Sequence, residues 1–182
     1  NIDNTIEWDE ILIGTAGSSD NLRLLNASGK MIWNYSINTD VSSVSFGNLH
    51  NNSGKEIVAA SGSKIFLINS TGSQIRNKTM NNIIYDIEVD DVVSGGFDEI
   101  AVAAADNRVY LLSSDLLELW NYSSSLPFRG VGIGELNSSP GKEIAASSGS
   151  VLFLLDSTGN LINSIDIGDL INDVDVYNID NS

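Results

Sequence analysis

The chain has no cysteine, one histidine, two prolines and nine basic residues in 182. Without cysteine there are no disulfides, no thiolate metal sites and no sulfur nucleophile, and the compartment is left open. The single histidine, His50, lies in a polar loop, and no G-x-S-x-G elbow exists to supply a serine for a catalytic triad. There is no GxGxxG, no phosphate loop and no basic cluster. Twenty-four acids against nine bases give a net charge of -15. That charge repels phosphate backbones and argues against nucleic acid as a partner. Apolar runs fall far short of the roughly 18 residues of a spanning helix, so no membrane insertion is expected. The chain starts at Asn1 with neither Met nor a signal peptide, which suggests a processed product, an excised piece or the ordered part of something larger.

Enough apolar residues remain, 42%, to build a core. Asn (21) and Ser (26) dominate the polar set and serve turns. The decisive feature is internal repetition. Alternating segments occur at Val41–Phe46, Ile84–Val89, Phe128–Ile133 and Ile171–Val176, with central residues Val44, Ile87, Val131 and Val174 spaced 43, 44 and 43 apart. A polar loop follows, then Glu and a short apolar run, beginning at Glu10, Glu56, Glu99 and Glu143. A third segment follows at Leu22–Leu25, Ile65–Ile68, Val109–Leu112 and Val151–Leu155, and a fourth at Met31–Trp33, Gln74–Arg76, Glu118–Trp120 and Leu161–Asn163. Short β-rich runs between Asn/Ser/Asp/Gly turns read as strands, and no segment carries sustained helical periodicity. Four antiparallel strands per roughly 43 residues is the pattern of a propeller blade.

The expected fold is all-β: a β-propeller of four short four-stranded blades closed by the C-terminal strand, or a four-blade section of a larger propeller. Residues 1–182 form one domain, with blade one at 1–40 plus 171–177, blade two at 41–82, blade three at 83–126 and blade four at 127–170. A longer period is superimposed. Trp33-Asn-Tyr-Ser36 recurs as Trp120-Asn-Tyr-Ser123, and Gly54-Lys-Glu-Ile57 as Gly141-Lys-Glu-Ile144, both 87 residues on. Strand 171–176 completes blade one in the same chain, pairs with a neighbouring copy by strand exchange, or belongs to a longer array. Asn178-Ile-Asp-Asn181 repeats Asn1-Ile-Asp-Asn4, so both ends fall at one loop position.

The loop-plus-strand segments Phe46–Val58 and Gly134–Ile144 resemble FG-GAP (integrin-α-like, VCBS) propeller repeats. Val109–Leu112 and Leu24–Trp33 also resemble quinoprotein-like propeller repeats. The first resemblance implies calcium in the loops, where oxygen ligands gather at alternate positions. The matching positions are Asn48, His50, Asn52 and Glu56 in blade two, and Asp91, Val93, Gly95 and Glu99 in blade three. In blade four they are Glu135, Asn137, Ser139 and Glu143, and blade one carries Asp3, Glu7, Asp9 and Glu10. No loop has the three central acids, so the alternative is a hydrogen-bonded Asx turn without metal. None of the cofactor-holding residues of quinoproteins can be placed, and Trp33 and Trp120 read as packing or docking residues between blades.

First strands of a propeller line its axis, which sets Asp86 and Glu88 opposite Asp173 and Asp175, with Ser43, Ser45, Gly130 and Gly132 on the other two sides. A cation or ordered water between these acids is expected. N-glycosylation sequons stand at Asn26, Asn34, Asn51, Asn69, Asn77, Asn121 and Asn137, all in expected turns or strand ends. Together these features suggest a non-catalytic extracellular or cell-surface module for binding, adhesion or envelope structure, glycosylated and calcium-stabilised. Its expected partner is a protein or polysaccharide at the cell surface. A propeller enzyme, quinoprotein-like or polysaccharide-cleaving, is the rival. Burial is expected at Ile11, Ile13, Leu24, Val44, Phe46, Ile57, Phe66, Ile87, Val89, Ile100, Tyr110, Val131, Ile133, Ile144, Phe153, Val174 and Val176.

Overall fold

The computed structural model describes residues 2, 9–17, 21–51 and 54–177. Among them there are fifteen strands and no helix. The first sheet contains β1 (Ile11–Gly14), β2 (Asn21–Leu25) and β3 (Met31–Ser36). The second contains β4 (Val41–Gly47), β5 (Glu56–Ser61), β6 (Lys64–Ile68) and β7 (Gln74–Thr79). The third contains β8 (Ile84–Asp90), β9 (Glu99–Ala104), β10 (Arg108–Leu112) and β11 (Glu118–Ser123). The fourth contains β12 (Phe128–Gly134), β13 (Glu143–Ser148), β14 (Val151–Leu155) and β15 (Leu161–Asp166). Each sheet is an antiparallel meander in chain order, so each repeat of the sequence is one blade.

The blades stack face to face. β4 lies beside β8 and β8 beside β12, so the first strands form the inner row. Three apolar clusters fill the spaces between blades. Leu22, Leu24, Ile57, Ala59 and Ile68 join blades one and two. Val58, Ile65, Leu67, Ile87, Val102 and Tyr110 join two and three. Ala101, Val109, Leu111, Val131, Ile144 and Phe128 join three and four. All six residues of β5, β9 and β13 are buried.

That double burial explains where the expected core departs from the observed one. A strand covered on both faces does not alternate, so Val58, Ile65, Leu67, Val102 and Leu111 join the core beside Ile57 and Ile100. Ile11 and Phe46, expected inside, are exposed. Ile13, Val44, Phe66, Phe153, Val174 and Val176 are only half-buried.

Segment 171–177, expected to complete blade one, carries no strand pairing among the described residues. Among the described residues the first sheet keeps three strands. Segment 171–177 lies along β12 instead: a Cβ built on Gly130 would sit 2.7 Å from Asp173 Cα, and one on Gly132 would sit 3.1 Å from Asp175 Cα. This is the relation of β8 to β4, repeated 87 residues later. Gly47 abuts Val89, and Gly134 abuts Val176 in the same way. The segment therefore occupies the first-strand position one step beyond blade four. The all-β array of four blades stands.

Truncating Ile57 or Ile100 to Ala should cost about 2–5 kcal/mol in urea unfolding, because each fills a sealed inter-blade space. Phe46→Ala should cost less than about 1 kcal/mol, since its ring is exposed already.

Candidate functional site

The strongest chemistry-bearing signal of the sequence is the glutamate that opens each second strand. The fold explains it. Leu49 and His50 donate their backbone N–H groups to Glu56 Oε2, both at 3.0 Å. Val92 and Val93 donate to Glu99 Oε2 at 3.0 and 2.9 Å. Leu136 and Asn137 donate to Glu143 Oε2 at 2.8 and 3.2 Å. In blade one Ile2 donates to Glu10 Oε2 at 2.6 Å. Each carboxylate folds the preceding loop back onto its own blade. A charged acceptor shared by two amides is among the stronger hydrogen-bonding arrangements.

Calcium wants six to eight oxygen ligands, several of them carboxylates. The residues present do not fit that demand. The buried glutamate of each loop has one oxygen committed to amides. Asn48 and Glu135 are exposed, Asn137 Oδ1 accepts from Ser139 N in its own loop, and Val93 and Gly95 bring no side-chain oxygen. His50 Nδ1 and Glu56 Oε1 in the blade-two loop, and Asp91 Oδ1 in the blade-three loop, are buried without a hydrogen-bond partner, but none of these loops gathers the carboxylates calcium needs. No group of three or more His, Asp or Glu that could hold a metal ion occurs among the described residues. Asn52, Asp3 and Glu7 lie outside them.

The acids of the inner row hold blades together. Asp86 Oδ1 accepts from Ser43 Oγ in blade two at 2.9 Å, and Asp86 Oδ2 accepts from Val131 N in blade four at 3.0 Å. One carboxylate thus bridges three blades. Asp173 and Asp175 are exposed, and each accepts from the next residue's own amide. Glu88 is pushed up to about 7, first by burial and then by Asp175, Asp86 and Asp90, against a hydrogen bond with Ser45.

The tryptophans are docking residues. Trp33 Nε1 donates to Ser70 O at 2.9 Å, and Trp120 Nε1 donates to Ser157 O at 3.0 Å. Each ring covers the turn of the following blade. A Cβ on Gly72 would lie 2.8 Å from the Trp33 ring, and one on Gly159 would lie 2.7 Å from the Trp120 ring. Both glycines have positive φ, 83° and 85°, so glycine is required twice over. Between blades two and three the pair is different. Arg76 takes the tryptophan position, Leu116 the glycine position, and Arg76 meets Asp115 at 3.1 Å. The 87-residue period, with Arg76 aligned between Trp33 and Trp120, already carried this alternation in the sequence.

The sequon asparagines divide into two groups. Asn26 Oδ1 accepts from Ser28 N, Ser28 Oγ and Lys30 N. Asn69 Oδ1 accepts from Thr71 N, Thr71 Oγ1 and Ser73 N. Asp156 performs the same service in blade four, so these positions need an acceptor oxygen for the turn. Asn34, Asn51, Asn77, Asn121 and Asn137 are exposed. Of the remaining chemistry, His50 sits 3.7 Å from Asp115 and faces Phe97.

Stacked four-stranded meanders with an inner row of first strands decide the architecture. The fold is that of a β-propeller. No family model matches the chain, and no curated protein matches it. Solved structures do. The chain is similar to BBS1N in complex with ARL6DN, at TM-score 0.75 and 12% identity over 93% of this chain and 55% of that one. A protein of unknown function from Bacteroides caccae matches at TM-score 0.61 and 14% identity, over 88% of this chain and 59% of that one. The computationally designed Ika8 protein matches at TM-score 0.71 and 9% identity, over 96% and 52%. The chain therefore spans about half the length of the structures it matches.

Two outcomes test this reading of the site. Glu56→Ala leaves two loop amides without their acceptor and should cost about 2–4 kcal/mol, with Glu56→Gln losing less, while EDTA leaves the melting temperature unchanged. Glu88 holds its proton more tightly in the folded state than the ordinary 4.5, so its contribution is lost as pH rises from about 4.5 through about 7. Glu88→Gln should therefore raise the melting temperature at pH 8 by about 2–4 °C, solvent screening holding the gain near 1 kcal/mol, and change little at pH 4.5.

Proposed function

We propose that the chain is a non-catalytic binding module, displayed outside the cell or on its surface, whose ligand is another protein. One observation carries the reading. The groups with chemical reach serve inter-blade and loop contacts, whereas apolar side chains stand exposed on the loops. Glu56, Glu99, Glu143, Asp86, Trp33 and Trp120 are all engaged internally. Val93 and Phe97 are exposed on the loop between β8 and β9, and so is Phe46 near the end of β4. Lys55 lies 5.0 Å over the Phe46 ring. Apolar side chains set among acids suit a partner with an apolar and basic surface. A protein partner is in keeping with BBS1N, which was solved in complex with ARL6DN.

Surface display rests on the sequons and on the acidic, cysteine-free composition. Seven acceptors in 182 residues, five of them exposed, supply the sites. Produced in a glycosylating host, the chain should carry glycans at Asn34, Asn51, Asn77, Asn121 and Asn137. Asn26 and Asn69, tied into their turns, should be spared. Peptide mass spectrometry reads the difference, and an entirely unmodified chain would count against surface display. For binding, Phe97→Asp should abolish capture of the partner without shifting the melting temperature. Retained capture would remove this loop from the interface.

A further inference from the structure

The fourth strands carry a row of apolar side chains that the fold leaves uncovered. Ile32, Ile75, Leu119 and Ile162 stand at one repeat position of β3, β7, β11 and β15, spaced 43, 44 and 43 residues apart. They are 39%, 41%, 49% and 47% exposed. Each lies on the outermost strand of its sheet, whose outer edge has no partner strand among the described residues. Such an edge invites pairing with another chain unless charge or bulk bars it, and β3 carries no charged residue.

Two residues further on, three of these strands carry a sequon. Asn34, Asn77 and Asn121 follow Ile32, Ile75 and Leu119 at i+2, and all three are exposed. Side chains at i and i+2 of a strand share one face and lie about 7 Å apart along it. Asn34 engages only its Oδ1, which accepts from Arg23 Nε at 3.3 Å. Asn121 Nδ2 donates to the exposed Glu118 Oε1 at 2.7 Å, and a glycosylated amide nitrogen keeps one hydrogen for that bond. Neither of these contacts holds a turn, in contrast to those of Asn26 and Asn69. Blade four has the apolar residue without the sequon, because Ser164 takes the place of the asparagine.

We propose that N-linked glycans on Asn34, Asn77 and Asn121 fold back along their strands, the first sugar ring of each covering Ile32, Ile75 or Leu119. The inference rests on the surface-display reading, since the glycans must first be attached. A pyranose ring presents a face of C–H bonds to an aliphatic side chain and a rim of hydroxyls to water. Covering each half-exposed side chain in this way removes apolar area from water. The bulk of the same glycan keeps foreign strands off the edges of β3, β7 and β11. The three glycans are structural parts of the outer rim.

Calorimetry on the 182-residue chain tests this. One form comes from a host that attaches N-acetylglucosamine-based glycans and is trimmed to one sugar per site. The other comes from a host that attaches none. Ile75→Ala and Leu119→Ala should each lower the melting temperature of the trimmed form by about 2 °C more than that of the bare form. Ile162→Ala, with no sequon beside it, should lower both forms equally. Peptide mass spectrometry reads occupancy alongside. Equal losses for Ile75→Ala and Leu119→Ala in the two forms, with Asn77 and Asn121 occupied, would overturn the inference and leave surface display standing. So would Asn34, Asn77 and Asn121 left bare while other sequons are filled. A wholly unmodified chain from the glycosylating host would overturn both.

Discussion

A blade of this protein is one sheet thick and has two apolar faces. Neither can be covered from within the blade, and the apolar residues of β5 and β9 are buried in clusters shared with the adjoining blades. Stability is therefore a property of the spaces between blades. Each space is filled by a cluster drawn from both sides, and the buried area per blade grows only when a next blade arrives. Burial falls from the second strand to the outermost within each blade: β9 and β13 are sealed, whereas β7 and β15 are exposed nearly throughout.

Polar groups serve the same constraint. A loop of eight residues between the first and second strands carries amides that no ladder satisfies. A glutamate at the mouth of the second strand satisfies two of them and is buried in doing so. Asp86 does for the inner row what the glutamates do for the loops, tying Ser43 and Val131 across two joints. The cost is electrostatic. Glu88 is buried and stands among three other carboxylates, and burial first and then their charge hold its proton up the scale.

Much of this was legible in the sequence because the repeat is written in residue types. The spacing of Val44, Ile87, Val131 and Val174 marks the inner strands, and the glutamates mark the second ones. The position of segment 171–177 was less legible, since its sequence says only that it is a first strand, not whose. The core was half legible. Alternation identifies Ile57 and Ile100 but cannot see that Val58 and Val102 are covered from the other side. The calcium pattern illustrates a different limit. A loop glutamate reads as a metal ligand or as an amide acceptor from the same letters, and the geometry of the chain favours the second. Asp156, standing where Asn26 and Asn69 stand, shows that an acceptor oxygen explains those asparagines without a glycan.

The alternation of joints has a consequence for how such an array can change length. Trp33 and Trp120 require a glycine beneath them, whereas the turn between their two target blades presents Leu116. Excising blade two alone by recombination would bring the Trp33 ring down on the Leu116 side chain. Excising blade three alone would set Arg76 over Gly159, with no Asp115 to meet it. Removing or inserting an 87-residue pair keeps every ring over a glycine. Lineages built on this repeat should accordingly gain and lose blades two at a time, and single-blade products should be purged as misfolded chains.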